Sequence, residues 1–185
     1  MALVERVKNI LLTPKSEWPK IAEEAATTQS IYVGYVLILA AIGPIAMAIH
    51  GGALMATVAL LSYGISLAVT FLLALIVDAL APTFGSEKNF IQSLKLTAYS
   101  YTAAWVAGIF QLLGVVGGII GLLAMIYAFY TFYLGLPVMK KCPPEKAVGY
   151  LIVVVICGIL LGAVLGGVLI SAIGGGGMMG MGMMG

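Results

Sequence analysis

Five methionines stand among glycines in the last segment of the chain, and their sulfur atoms are the side-chain groups best suited to hold a metal. They are Met178, Met179, Met181, Met183 and Met184. Thioether sulfur favours soft ions such as Cu(I), and glycine gives the backbone the freedom to wrap an ion. The spacing predicts a Cu(I) site as one interpretation and a low-complexity apolar tail at the membrane surface as the other. The sequence predicts no other cofactor.

A second candidate site consists of polar groups at the ends of long apolar runs, where an ionisable residue is a functional hypothesis. Asp78 and Lys95 flank one connector, so they could pair with each other or meet lipid headgroups and water. Eight of the nine tyrosines fall toward the same ends of the runs, among them Tyr99 and Tyr127. These four residues form the predicted polar site, either as an inward-opening cavity or as an ordinary aromatic belt.

Enzyme chemistry is not predicted. The only histidine, His50, lies at the opposite ends of the runs from the acidic residues. A Ser–His–Asp or Cys–His arrangement would therefore have to assemble across a bilayer. No residues have the spacing of a zinc site. Nucleic acid is excluded as a partner because the chain has no basic stripe with interleaved aromatic residues.

The elements that must position these groups are predicted to be transmembrane helices. Of the 185 residues, 62% are hydrophobic and 9% are charged, whereas a soluble domain has roughly 25% charged residues. Runs of about 20 apolar residues indicate membrane-spanning helices. The predicted fold is an all-α polytopic bundle of five transmembrane helices, and the runs are Ile31–Ile49, Leu54–Val77, Leu96–Leu113, Val115–Met139 and Val148–Ile173.

The basic residues give this bundle a predicted orientation. All nine lie before the first run, between the second and third, or between the fourth and fifth. Lysine and arginine are enriched in cytoplasmic loops. The predicted location is the plasma (inner) membrane, with a cytoplasmic N-terminus and an external C-terminus. The predicted domains are a cytoplasmic amphipathic segment (residues 1–30), a transmembrane domain (31–173) and an external tail (174–185).

Two short amphipathic helices are predicted before the first span. The apolar face of the first consists of Leu3, Val4, Val7, Ile10 and Leu11, and that of the second consists of Trp18, Ile21, Ala22 and Ala25. Such helices commonly lie flat in the membrane interface. The alternatives are that they pack under the bundle or that they dock a cytosolic partner.

Small residues predict close helix contacts within the membrane. Gly158, Gly162 and Gly166 repeat every four residues on the last span, and Gly117 and Gly121 do so on the fourth. Residues four apart share a helix face, and glycine lets two backbones approach closely. These faces are expected to pack within the chain or, as the alternative, between copies in a homo-oligomer.

Several stretches resemble one known family when taken together. They are Leu12–Glu24, Thr83–Phe90, Leu94–Ser100, Tyr133–Pro137 and Pro144–Ala147. This combination is similar to the prokaryotic branch of the YIP family, named from the yeast Ypt-interacting proteins. The resemblance implies five spans, a cytoplasmic N-terminus and an external or lumenal C-terminus. Eukaryotic members act in vesicle trafficking and bind prenylated Rab-type GTPases, and the family offers no catalytic residues to carry over.

The sequence thus predicts a non-enzymatic membrane protein that acts as an organiser, scaffold or adaptor. Its expected partners are the lipid bilayer, a membrane or peripheral protein at the cytoplasmic face, and further copies of itself. One alternative is a protein for permeation of small solutes or ions, suggested by the inward tyrosines and the glycine-rich helices. The other alternative is a copper-binding protein that uses the methionine-rich tail.

Overall fold

The computed structural model describes the backbone of residues 2–181 and their side chains except at 50–54, 169–170 and 172–181. Within these residues every regular element is a helix, as predicted. The elements are α1 (Leu3–Leu12), α2 (Pro14–Glu23), α3 (Thr28–Ile31), a π-helical turn (Tyr32–Val36), α4 (Leu37–Ala40), α5 (Ile42–Leu80), a 3₁₀ turn (Ala81–Phe84), α6 (Phe90–Ser100), α7 (Thr102–Ala107), a second 3₁₀ turn (Gly108–Leu113), α8 (Val115–Lys140) and α9 (Pro144–Met181).

Helix α5 is assigned as one element of 39 residues, but the chain reverses direction within it. The hydroxyl of Tyr63 donates to the carbonyl oxygen of Leu37 over 2.9 Å, although the two residues are 26 positions apart. In a straight helix this separation would be about 39 Å. The hydroxyl of Tyr32 donates to the carbonyl of Leu67, also over 2.9 Å. The residues before position 50 therefore run antiparallel to those after position 54.

Four helical stretches are long and apolar enough to cross a membrane. They are Thr28–Ile49, Met55–Phe84, Val115–Lys140 and Pro144–Val168. They correspond to the first, second, fourth and fifth predicted runs. The chain is therefore a multi-pass membrane protein.

The third predicted run, Leu96–Leu113, is an interrupted helix rather than a continuous one. The chain turns at Tyr101 between α6 and α7, and the last six residues form a 3₁₀ turn. This run nevertheless follows α8 along its length, because Leu96 lies beside Gly135 while Phe110 lies beside Gly117. A fifth crossing at this segment is a proposal, and the structure confirms four candidate spans.

Local sequence signals set several of the boundaries. Thr27 and Ser30 form a reciprocal capping box at the start of α3. The side chain of Asn89 caps α6 by accepting a hydrogen bond from the backbone of Gln92. Gly114 has a φ of 58°, which glycine adopts without strain, and it makes the tight turn into α8. These signals set the start of α3, α6 and α8, respectively.

Helices α1 and α2 pack against the bundle, which matches the second interpretation of the amphipathic segment. Trp18 and Ile21 of α2 and Ile10 of α1 are buried. The indole nitrogen of Trp18 donates to the carbonyl of Thr131 on α8 over 3.0 Å. Val4 of α1, which the sequence predicts on the apolar face, is instead largely exposed. The segment is thus fixed to the bundle by one face and keeps another face free.

The two ends of the bundle differ in chemistry. The charged end carries α1, α2, the first 3₁₀ turn and the C-terminus of α8, and the basic and acidic residues of the sequence belong to this end. The uncharged end carries the second 3₁₀ turn and Gly114. Exposed apolar side chains such as Leu122, Ile126 and Ile156 cover the flanks between the ends. This apolar band is the surface that contacts lipid.

Candidate functional site

A buried ion pair joins three helices at the charged end. The ammonium of Lys140 lies 3.0 Å from the Oδ1 atom of Asp78 and donates to the hydroxyl of Ser93 over 2.7 Å. The same nitrogen donates to the carbonyl of Asn89 over 3.2 Å. The hydroxyl of Ser93 in turn donates to Asp78 over 3.1 Å. We call Asp78, Ser93 and Lys140 the Asp78 cluster.

Local structure explains why these three side chains meet. Asp78 lies in the last turn of α5, Ser93 in the first turn of α6 after the Asn89 cap, and Lys140 at the last position of α8. Lys141 follows with a φ of 50°, which ends α8 and leaves its own ammonium exposed beside Glu87. Burying two opposite charges is tolerated only when each is well paired. The Asp78 cluster meets this condition, so it fixes the helix ends in place.

A second set of charges fixes the N-terminal helices to the bundle. Arg6 of α1 donates to Glu17 of α2 over 2.5 Å and also pairs with Glu24. Its guanidinium lies over the ring of Tyr99, 5.8 Å from the ring centre. The ammonium of Lys95 on α6 donates to the carbonyl of Glu24 over 2.5 Å. We call Arg6, Glu17, Glu24, Lys95 and Tyr99 the Arg6 cluster.

Lys95 takes part in this cluster mainly through backbone carbonyls. Its ammonium also donates to the carbonyl of Ile21 over 2.8 Å, so it closes the C-terminal end of α2. Burial lowers the pKa of Lys95 from its ordinary value, and the nearby carboxylate of Glu24 opposes that change. A cation at a helix C-terminus is favourable because the last carbonyls lack partners there. Lys95 therefore stabilises the docked position of α2.

The structure brings together only two of the four residues of the predicted polar site, because Lys95 and Tyr99 belong to the Arg6 cluster while Asp78 and Tyr127 contact other residues. Asp78 is paired with Lys140, whereas Lys95 is held by α2, so the two do not pair with each other. Tyr99 packs edge-on against Tyr35, with ring centres 4.5 Å apart. Tyr127 donates its hydroxyl to the carbonyl of Leu11 over 2.7 Å. Each residue contributes to joining elements rather than to one shared cavity.

Sequence reasoning did not single out Arg6, Glu17 or Lys140. All three are buried charged residues in the structure. One signal was available for Glu17, because it lies next to the apolar face that contains Trp18 and Ile21. No signal in the sequence distinguishes Lys140 from its neighbour Lys141.

Three cavities of the described part of the molecule have no lining residue in common. A cavity of about 240 Å³ lies between α5, α6, α8 and α9, and its walls include Ser100 and Gly158. Another of about 220 Å³ lies near the uncharged end, beside Gly43 and Gln111. A surface pocket beside Lys15 includes Tyr127 and Tyr130. Neither Asp78 nor Tyr99 lines any of these three spaces.

The glycines divide into those that the chain covers and those that it leaves open. A Cβ atom at Gly117 would lie 1.8 Å from the carbonyl oxygen of Phe110, so only glycine fits there. A Cβ at Gly158 would make ordinary contact with Leu73 at 3.7 Å. At Gly121, Gly162 and Gly166 a Cβ would meet no described atom within 4 Å. These three open positions lie on α8 and α9.

The methionine side chains of the tail are outside the part of the chain that the structure describes. This holds for Met178, Met179, Met181, Met183 and Met184. Among the described residues no group of three or more His, Cys, Asp or Glu side chains could hold a metal ion. Binding of Cu(I) by the tail stays a prediction.

Comparison with known proteins matches the sequence of the chain to one family. A family model for the Yip1 domain matches residues 8–183. No curated protein and no solved structure matches the chain.

Proposed function

The chain belongs to the Yip1 domain family, and on this premise we propose that it is a non-enzymatic adaptor of the plasma (inner) membrane. In this role it holds a peripheral protein at its charged end and a membrane protein, or a second copy, along its open glycine face. The charge distribution supports a cytoplasmic N-terminus and an external C-terminus. The interrupted helix from Leu96 to Leu113 would make the fifth crossing.

The observation that carries this proposal is the rigid attachment of the N-terminal helices. Trp18 and the pair of Arg6 with Glu17 are buried, so α1 and α2 cannot move freely over the membrane surface. Lys8 and Lys15 point away from these contacts and are exposed. A charged surface held in one conformation binds a partner at a smaller cost in conformational entropy than a flexible segment does.

The open glycines supply the membrane-embedded half of the proposed role. Gly162 and Gly166 share a face of α9, and no described atom covers that face. Without side chains, such a surface lets another helix approach closely. A membrane partner or a second copy of the chain would bury it.

The test is purification of the full chain in mild detergent and in native lipid, followed by quantification of bound proteins and of oligomeric state. We expect Gly162→Leu to weaken a membrane partner or the homo-oligomer, because leucine blocks close approach. The matched control is Val164→Leu, which changes an exposed apolar residue of the same helix.

A second pair of variants tests the charged end. Lys8→Glu with Lys15→Glu should release a peripheral partner, whereas Lys8→Arg with Lys15→Arg should retain it, since only the first pair changes the sign of the charge. The proposal fails if the wild-type chain is a lone monomer in both detergent and native lipid. Flux of solutes or ions from reconstituted liposomes would instead support the permeation alternative.

A further inference from the structure

The cavity of about 240 Å³ between α5, α6, α8 and α9 has features of a lipid site. Its walls are almost entirely apolar, and we call it the Ser100 cavity after its one small polar residue. Leu73, Phe132 and Gly158 form part of the wall. An apolar cavity of about 150 Å³ already accepts a benzene molecule, so the Ser100 cavity has room for a larger hydrocarbon group.

The Ser100 hydroxyl is the unusual group in this cavity. The residue is 3% exposed, and its oxygen has no hydrogen-bond partner within the part of the chain that the structure describes. Helix α6 ends at Ser100, and the chain turns at Tyr101 before α7 begins. A buried hydroxyl without a partner costs free energy. A ligand that carries a hydrogen-bond acceptor would remove this cost.

The cavity can be reached from the lipid side of the bundle. Ile159 lines it and is itself 64% exposed. The cavity continues along α9 from Leu151 to Ile159, which is eight residues or about 12 Å. One leaflet of the hydrocarbon core is about 15 Å thick. The cavity is therefore about as long as the part of one acyl chain that lies in a single leaflet.

The depth of Ser100 indicates which acceptor it would meet. The residue lies five positions after Lys95, about 7.5 Å along α6. The ammonium of Lys95 marks the charged end of the bundle. Ser100 thus lies just inside the apolar region, where the ester groups of bilayer lipids border the hydrocarbon.

We propose that the Ser100 cavity binds one acyl chain of an ester-linked glycerolipid from the leaflet at the charged end. The chain fills the space between Phe132 and Ile159, and the Ser100 hydroxyl donates to the ester carbonyl. This site is independent of the glycine face at Gly162 and of the charged surface on α1 and α2. It makes a bilayer lipid a specific ligand rather than only a solvent for the bundle.

The test uses the full chain in nanodiscs that contain a trace of ester-linked phosphatidylcholine with a photoreactive diazirine on one acyl chain. We expect crosslinks to the α8 segment 125–132 and the α9 segment 151–159. Gly158→Leu should reduce them several-fold, because a Cβ is tolerated at Gly158 while the rest of the leucine fills the cavity. Val164→Leu, at an exposed residue of the same helix, is the control and should leave them unchanged.

A second measurement isolates the hydrogen bond. Unlabelled ester-linked and ether-linked phosphatidylcholine compete with the probe, and the ether lipid has no carbonyl. We expect the ester lipid to compete about twofold to tenfold better, the range of one hydrogen bond, and Ser100→Ala to abolish this preference. Equal crosslinking in the wild-type chain and a folded Gly158→Leu variant would overturn the proposal. Equal competition by the two lipids against the wild-type chain would overturn the assignment of Ser100.

Discussion

The charged and uncharged ends of the bundle are held together in different ways. At the charged end, side chains from several helices meet in the Asp78 and Arg6 clusters, and each cluster contains a buried ion pair. At the uncharged end, the main contacts are between backbones, where Gly108 lies against Gly43 and Gly117 lies against Phe110. The charged end therefore depends on specific pairs of side chains, and the uncharged end depends on the absence of side chains.

This difference follows from where the contacts lie, because the two clusters are at helix ends next to water, whereas Gly43 and Gly117 lie within apolar spans. Charged groups can be buried at a helix end because water and neighbouring carbonyls are available to complete their hydrogen bonds. Deeper in lipid there is little hydrophobic drive between helices, so close packing of small residues takes over. The comparison predicts that substitutions that remove a charge destabilise the charged end, and that substitutions that add side-chain volume destabilise the uncharged end.

The largest effect is expected from Lys140→Met. Lys140 is fully buried and its removal leaves the Asp78 carboxylate buried without its cation. Breaking a buried pair in this way costs about 3–5 kcal/mol. Lys141→Met is the control, because the Lys141 side chain is 70% exposed and its pair with Glu87 should contribute about 0–1 kcal/mol. Unfolding of both variants in mixed micelles gives the free energies of unfolding.

The double variant Lys140→Met with Asp78→Leu tests whether the unpaired Asp78 carboxylate causes this loss of stability. It removes both charges, so most of the stability should return. A double variant as unstable as Lys140→Met alone would show that the Asp78 cluster does not act as a pair.

The next effect is expected at the uncharged end from Gly117→Ala. The added methyl group would overlap the carbonyl oxygen of Phe110, so the backbone must shift, at a cost of about 1–3 kcal/mol. Gly118→Ala is the matched control, since a Cβ there meets no described atom within 4 Å. In a helix interior that change should stabilise by about 0.5–1 kcal/mol. The Tm of Gly117→Ala should therefore fall and that of Gly118→Ala should rise. A shift of both Tm values in the same direction would contradict the backbone contact.

The smallest effect is expected from Tyr35→Phe, between the two ends. The hydroxyls of Tyr35 and Thr102 are 2.6 Å apart, and Thr102 keeps a second bond to the carbonyl of Tyr99. Losing one such bond should lower the free energy of unfolding by about 0.5–1.5 kcal/mol. Tyr130→Phe is the control, because that residue is exposed. An equal loss from both variants would mean that the Tyr35 hydroxyl contributes nothing specific.

Hydropathy predicted four of the spans, because a run of apolar residues is a local property of the sequence. It could not predict the turn at Tyr101, where the residues on both sides are as compatible with helix as those elsewhere in the run. The partner of Asp78 was also beyond prediction. Lys140 and Lys141 are chemically identical, and only the end of α8 at Lys141 decides which ammonium is buried.

The glycine pattern was informative in part. Spacing placed Gly117 and Gly121 on one face of α8, but the structure covers the first and leaves the second open. The reason is that the backbone of the second 3₁₀ turn passes only beside Gly117. Contacts of this kind depend on where a neighbouring segment ends, and a single helix pattern does not contain that information.

The hydrogen bond from Trp18 to Thr131 has a consequence for the order in which the molecule is made. The two residues are 113 positions apart, so a ribosome that adds about 5–20 residues per second takes roughly 6–23 s between them. During this interval Trp18 and Ile21 have no site in the bundle. An amphipathic helix is stable in the headgroup region, so α2 would first rest on the bilayer and dock only after α8 is inserted.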